Sequence, residues 1–160
     1  MSDHQSKGDA RHAARLGAVQ ALYQMEMSGN GAEEVAQEFA EHRFGELPVP
    51  PDGDFFFAIV TGVPKHQVEI DRAIAGALSE KWKLERVDSI LRAILRCGVF
   101  ELVARRDVPA KVVIDEYVAV SGAFFGGDEP GFVNAALDTI ARRKRAPEFG
   151  LSVPEGELDF

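Results

Sequence analysis

Apolar residues recur at helical spacing through the first half of the chain. Between residues 11 and 28 the apolar stripe consists of Leu16, Val19, Tyr23 and Met27. The stretch SGNG at 28–31 is typical of a helix end, so we predict a helix over about 11–28. EEVAQEFAEHRF (33–44) predicts a second amphipathic helix, with its apolar positions at Val35, Phe39 and Phe44. Three prolines make 47–54 a loop.

The pattern continues in DFFFAIVTGVPKHQVEIDRAIAGAL, residues 54–78. Its apolar positions recur as in a helix, and Pro64 predicts a kink or short break near Gly62 and Val63, because proline lacks an amide donor and crowds the preceding turn. FFFAIV alone would also suit a buried strand, but its helical flanks favour a helix.

The clearest helical pattern lies in KWKLERVDSILRAILRCGVFELVAR, residues 81–105. Asp88 stands where it could cap the helix or lie in its first turn. A helix of about 15 residues follows from Ala110, then the turn GGDEPG and a last helix over 131–145 that ends in four basic residues. No strand pattern or internal repeat competes. We predict an all-α single domain of about seven helices.

The amino-acid composition predicts the domain boundaries and the cellular location. The polar residues 1–10 predict a disordered arm, 11–145 the folded domain, and the acidic residues 146–160 a disordered tail. A single cysteine, Cys97, suits a reducing cytosol, and no apolar run is long enough for a membrane span. We therefore expect a cytoplasmic protein with no membrane association.

The net charge of −8 argues against generic nucleic-acid binding, because phosphate attraction grows with the number of cations. The last fifteen residues hold four acids and no Lys or Arg, so the remaining residues carry −4. Any RNA site must therefore be a local basic patch, helped by a partner.

Catalytic and metal-binding motifs are missing from the sequence. The four histidines form no ligand pair, no nucleotide-binding or nucleophile motif occurs, and Cys97 lies inside an apolar helix pattern. Adjacent carboxylates such as Asp115 and Glu116 point in different directions on a helix. We expect no enzyme, no metal and no cofactor.

Two groups of residues suggest recognition instead. Arg11 and Arg15, four residues apart with His12 between them, stack cations on one side of the first helix. The other group is Phe124 and Phe132, which flank a glycine-rich turn that contains Asp128. Loops between rigid helices suit unpaired RNA bases, which stack on aromatic rings. The alternatives are a solvated helix flank for the cations and core anchors for the two phenylalanines.

Three segments in register resemble the NusB family. They are RHAARLGAVQALY at the start, ILRAILRCGVFEL with DVPAKVVIDEYV in the middle, and FFGGDEPGFVNAALDTIA near the end. The resemblance covers about residues 11–143.

This resemblance implies two small helical subbundles packed together and a non-enzymatic role. It implies binding of boxA RNA in nascent ribosomal RNA transcripts together with NusE, a small-subunit ribosomal protein. The pair would join the RNA polymerase antitermination complex with other Nus factors. Some family members self-associate, so a homodimer is a further possibility.

The resemblance also implies roles for individual residues. The RNA-binding positions that it implies are Arg11, His12, Arg15, Tyr23, Phe124, Asp128 and Phe132, with Lys7 as an upstream addition. Asn134 matches as well, although an Asn there could equally hold the loop by local hydrogen bonds. Lys111 and Glu116 match the region presented to NusE. We expect the cationic helix start and the Phe-flanked turn to converge on one RNA-binding surface.

The sequence departs from the family pattern at its start, where Ala13 and Ala14 separate the arginines and the opening holds fewer cations. This predicts weaker RNA binding by the free protein and heavier reliance on NusE. The alternative function is a NusB-like protein that acts through protein contacts, with weak or lost RNA binding. NusB-like domains also precede ribosomal RNA cytosine methyltransferases, a use that we do not expect here.

Overall fold

The protein is described by a computed structural model over residues 3–79 and 83–152, with side chains from residue 7 onward. Regular structure in these ranges is entirely helical, which confirms the predicted all-α class. The α-helices are α1 (Asp3–Ser28), α2 (Ala32–His42), α3 (Gly53–Lys65), α4 (Gln67–Ala77), α5 (Ser89–Ala104), α6 (Ala110–Phe124) and α7 (Glu129–Lys144). The chain divides into two compact units, residues 1–65 and 66–160.

The first unit is a three-helix assembly in which α1, α2 and α3 pack against one another. Its core is rich in aromatic rings: Phe39 and Phe56 stack with ring centroids 5.4 Å apart, and Phe44 meets Phe56 edge-on at 4.9 Å. Such pairs add to the energy of area burial. The apolar spacing that predicted α2 and α3 thus produces one continuous core.

The second unit is built around α5, which packs against α4, α6 and α7. Asp88 caps α5 as predicted, because its carboxylate accepts hydrogen bonds from the N–H groups of Ile90 and Leu91. Gly98 sets the contact with α7: a Cβ there would lie only 2.9 Å from the Leu137 side chain. The two helices can approach this closely because residue 98 has no side chain.

The first helix begins earlier than the sequence predicted. It starts at Asp3, so residues 3–10, expected to form a disordered arm, are helical. Once a helix exists, each added residue gains a hydrogen bond without a new nucleation cost, and no proline interrupts this stretch. The N–H of Asp52 also donates to the carbonyl of Ala10 and ties this turn to the first unit. Residues 1–2 lie outside the described ranges.

The predicted disordered tail is in part ordered. Ala146–Phe149 forms a short 3₁₀ helix, Ala146 is buried, and the N–H of Leu151 donates to the Ala146 carbonyl. These hydrogen bonds and the burial of Ala146 stabilise the segment despite its acidic composition. The rest of the predicted tail, 153–160, is outside the described residues.

The predicted break near Gly62 occurs three to four residues later. α3 continues through Pro64 to Lys65, and α4 begins at Gln67. Proline removes one hydrogen bond in the last turn without disrupting the preceding helix, which then ends one residue further on. FFFAIV is helical, as its flanks indicated.

Within the described residues, none of the helices combines the length and apolar character that a membrane crossing would require.

Candidate nucleic-acid interface

The cationic segment 11–15 of α1 packs on α3 in the first unit. Arg11 and Arg15 both lie over the ring of Phe55, with guanidinium carbons 4.7 and 4.9 Å from its centroid. A residue spacing of four places them on one side of the helix, as expected. The ring electrons attract both cations.

Asp52 holds Arg11 in position. Its Oδ2 lies 3.9 Å from Nε of Arg11, and its Oδ1 accepts a hydrogen bond from the N–H of Phe55 at 3.1 Å. The same carboxylate thus joins the start of α3 to the cation on α1. About a quarter of the Arg11 side chain remains exposed (25%), so solvent or a phosphate can still reach it.

Arg15 differs from Arg11 in its exposure. Only 2% of Arg15 is accessible, so the interpretation of this pair as a solvated helix flank is wrong for Arg15. The local sequence RHAAR (11–15) does not predict that Arg15 is buried. An RNA-binding role for Arg15 stays a prediction, and its observed contact is with the Phe55 ring.

The other predicted RNA-binding residues of α1 are more accessible. Lys7 is exposed, His12 is half-buried and Tyr23 is 37% exposed. Burial of the predicted apolar stripe decreases toward the end of the helix, since Val19 is fully buried whereas Met27 is exposed. Tyr23 offers an aromatic ring at the surface, as a base-stacking role requires.

The turn between α6 and α7 presents the second predicted group. Phe124 and Phe132 are both half-buried, which fits neither a pure core anchor nor a fully exposed ring. Asp128 is exposed and directly precedes α7. Its carbonyl accepts from the N–H of Phe132, but its side chain makes no capping hydrogen bond to the helix. The carboxylate of Asp128 is therefore not committed to the helix end that it adjoins.

Glu129 is a further candidate residue that the sequence did not single out. Its Oε2 is buried and accepts no hydrogen bond from the described residues. The side chain folds back over Gly127, where an added Cβ would lie 3.1 Å from that oxygen. A buried acceptor without a donor is costly, so the turn holds a carboxylate oxygen suited to an incoming N–H group. The adjacent glycine was the only sequence signal of this arrangement.

The remaining predicted site residues lie on α6 and α7. Lys111, in the first turn of α6, and Asn134, on α7, are exposed, and Glu116 is half-buried. The candidate residues are thus divided between the two units: those of α1 belong to the first, and those of α6, the turn and α7 to the second. The expected convergence of the two groups stays a prediction.

Neither a metal site nor a reactive cysteine finds support in the described parts of the chain. No group of three or more His, Cys, Asp or Glu there is arranged to hold a metal ion. Cys97 is fully buried in α5, and burial, aided by the charge of Glu101 and opposed by Arg96, raises the pKa of its thiol well above its usual value. A thiol of this kind is a small core residue.

Comparison with known proteins identifies the fold. The model of the NusB family matches residues 12–142. The transcription antitermination protein NusB of Maricaulis maris is 54% identical over 153 residues, which cover 92% of this chain and 96% of the relative. The protein of the same name from Caulobacter vibrioides is 51% identical over 140 residues, covering 84% of this chain and 94% of the relative.

Solved structures agree. A crystal form of T. maritima NusB superposes with a TM-score of 0.73 at 28% identity, covering 88% of this chain and 97% of that one. A chain from the crystal structure of a plectonemic RNA supercoil shares the fold alone, with a TM-score of 0.72 at 24% identity over 82% of this chain and 93% of that one. The family match spans both units, and the chain therefore belongs to the NusB family of non-enzymatic transcription antitermination factors.

Proposed function

We propose that this protein binds boxA RNA of nascent ribosomal RNA transcripts together with NusE and joins the RNA polymerase antitermination complex with other Nus factors. Its relatives at about 50% identity bear the name of transcription antitermination proteins, which supports this role. Work on nascent transcripts would make the protein cytoplasmic.

The observation that carries the proposal is the chemistry of the α6–α7 turn. Two half-exposed phenyl rings, Phe124 and Phe132, lie on either side of two carboxylates, Asp128 and Glu129, whose acceptor oxygens are not used by the helix. Unpaired bases stack on aromatic rings, and exocyclic amines donate to carboxylates. The turn therefore offers both interactions that base recognition needs.

The start of α1 would supply phosphate contacts. Arg11, Lys7 and His12 are at least partly accessible, and an arginine offers a planar set of donors to phosphate oxygens. Arg15 would act as a positioning residue, because it packs against the ring that also carries Arg11. Tyr23 would stack on a base.

The contact with NusE would involve Lys111 and Glu116 on α6. Both have accessible surface, and their opposite charges would set the orientation of a partner. A homodimer formed through accessible surface is the alternative to the contact with NusE.

A titration of boxA RNA with and without NusE, at several salt concentrations, tests the proposal. We expect affinity for boxA to exceed that for a scrambled RNA, to rise with NusE, and to fall when Asp128 or Phe132 is replaced by alanine. Equal affinity for boxA and the scrambled RNA in the presence of NusE would contradict it.

The burial of Arg15 and the ion pair of Arg11 with Asp52 favour a second candidate function. Both reduce the positive charge offered to phosphates, so the protein would act through protein contacts with weak or lost RNA binding. Capture of NusE by this protein with no gain in affinity on adding boxA RNA would favour this second function.

A further inference from the structure

The end of α7 gathers positive charge on an otherwise acidic chain. The segments 105–107 and 138–148 together carry six Lys or Arg and three acids, a net charge of +3 against −8 for the whole chain. Arg145 is buried, and the half-buried Arg105 is engaged by the carboxylate of Asp107. The other four cations are Arg106, Arg142, Arg143 and Lys144, which we name the α7 cationic end.

Hydrogen bonds to the backbone bring these cations together. Nη1 of Arg106 donates to the carbonyl of Lys144, and Nη1 of Arg143 donates to the carbonyl of Gly76 at the end of α4, each at 3.3 Å. An arginine has five N–H donors, so one guanidinium group can contact the backbone and a phosphate at the same time. The backbone contacts thus limit the motion of the guanidinium groups while leaving the arginines planar donors for a phosphate.

The α7 cationic end is separate from the Phe-flanked turn, which holds the boxA residues of the second unit. α7 has 16 residues, so its two ends lie about 22 Å apart, with the Phe-flanked turn at the other end. The helix dipole favours some cations at a helix C-terminus, and Asp138 accounts for Arg142 through a 2.9 Å ion pair. Arg106 comes from the segment after α5, so the helix that carries the other three cations does not itself supply it.

We propose that the α7 cationic end binds the RNA sugar–phosphate backbone independently of base sequence, and thereby holds RNA that flanks the specific site. A protein partner is less consistent with this surface, because protein interfaces centre on apolar and aromatic anchors. Among the exposed large apolar residues of the described chain, Leu151 and Val112 lie within a few residues of these segments in sequence, and neither is aromatic. The flanking role rests on the proposed function, but backbone binding itself does not.

The test compares two double variants that each remove two positive charges from the second unit. R106Q/R143Q alters the α7 cationic end, and the control K83Q/R86Q alters two exposed cations around the turn before α5. Each is titrated with a minimal boxA RNA, the same RNA with a single-stranded extension, and an unrelated RNA as long as the extended one.

We expect R106Q/R143Q to bind the extended and the unrelated RNA more weakly and the minimal boxA RNA unchanged. Its slope of log affinity against log salt should fall by about 1.4 for the two longer RNAs. The variant R106K/R143K should recover that slope, and both glutamine variants should keep the parent's thermal midpoint.

Equal losses in the two glutamine variants, or no loss in R106Q/R143Q, would overturn the proposal. If R106Q/R143Q keeps its RNA affinity but binds an acidic protein more weakly than the parent does, the proposal is overturned in favour of a protein-binding surface. If the parent does not bind boxA specifically, the proposed function fails, while the unrelated RNA still tests the α7 cationic end.

Discussion

Segment 11–15 of α1 and the end of α7 both carry arginines, yet in each region the fold separates one buried arginine from a more accessible neighbour. Arg15 and Arg145 are each 2% accessible, whereas Arg11 and Arg142 keep substantial exposure. In sequence the two runs look alike as cationic helix ends. Their comparison shows that charge at a helix end is not by itself a binding surface.

The two buried arginines are stabilised differently. Arg145 donates five hydrogen bonds: four to backbone carbonyls, those of Glu101, Leu102, Arg105 and Val108, and one to the carboxylate of Glu148. These bonds satisfy carbonyls at and after the end of α5, where a helix leaves acceptors unused. Arg15, in contrast, is seen against the face of Phe55. Arg145 thus joins backbone from several segments of the second unit, whereas the ring contact of Arg15 joins α1 to α3.

The largest effect is expected for Arg145→Ala. Removing the guanidinium takes the side-chain donor from the carbonyls of Leu102 and Val108 and from one oxygen of Glu148, so the free energy of unfolding should fall by about 4 kcal/mol. Denaturant unfolding measures this change. Arg142→Ala is the matched control, since its exposed pair with Asp138 is worth no more than about 0.5 kcal/mol. Equal losses in the two variants would refute the difference in burial.

A smaller loss of stability is expected for Arg15→Ala, about 2 kcal/mol, because a buried cation–π contact and the packing of the side-chain stem are lost. Thermal and denaturant unfolding would show it. Arg11→Ala should lower the stability by less than half as much, since Arg11 is partly exposed and its partner Asp52 is 3.9 Å away. Stability that falls more for Arg11→Ala would reverse the assignment of the two roles.

Arg11→Ala should act mainly on RNA. Under the proposed function it removes one phosphate contact, so the slope of log affinity against log salt should fall by about 0.7 with little change in thermal midpoint. Titration of boxA RNA with NusE present, over a series of salt concentrations, measures it. Lys65→Ala removes an exposed cation of the same unit and serves as control. An unchanged slope would argue that Arg11 serves only the packing on Phe55.

The smallest effect concerns pH. Burial acts to raise the pKa of Glu148, but hydrogen bonds from the N–H of Ala110 and from Arg145 outweigh it, so the pKa is lowered from 4.5. A folded pKa below the unfolded value means that this carboxylate stabilises the fold above about pH 4.5 and that the stabilisation is lost as the pH falls through the folded value.

Glu148→Gln should therefore be less stable than the parent at pH 7 by no more than about 1 kcal/mol, because the side chain is 39% exposed and solvent screens its charge. The gap should close as the pH falls below 4.5. Unfolding measured from pH 7 down to acid provides the test, and a gap that stays constant with pH would assign the effect of the substitution to packing alone.

Periodicity and capping chemistry determined which segments are helical. The spacing of apolar residues in α5 predicted that helix, and Asp88 takes the first of the two places predicted for it, the cap, because both features depend on neighbours in sequence. The same local information predicted the ends of α1 at Ser28 and of α6 at Phe124 within a residue or two. Three similar segments in register then identified the family.

Only the tertiary structure decided which polar residues are buried and what they contact. The Phe55 ring beside Arg15, the five acceptors around Arg145 and the unused oxygen of Glu129 depend on residues far apart in sequence or on how a turn closes. The hydrogen bonds that join Ala10 to Asp52 and Glu148 to Ala110 likewise link residues far apart in sequence, so the polar composition of 1–10 and 146–160 did not reveal them. Helical periodicity reports which face of a helix a residue occupies, but the energy of a charged group depends on the groups packed around it.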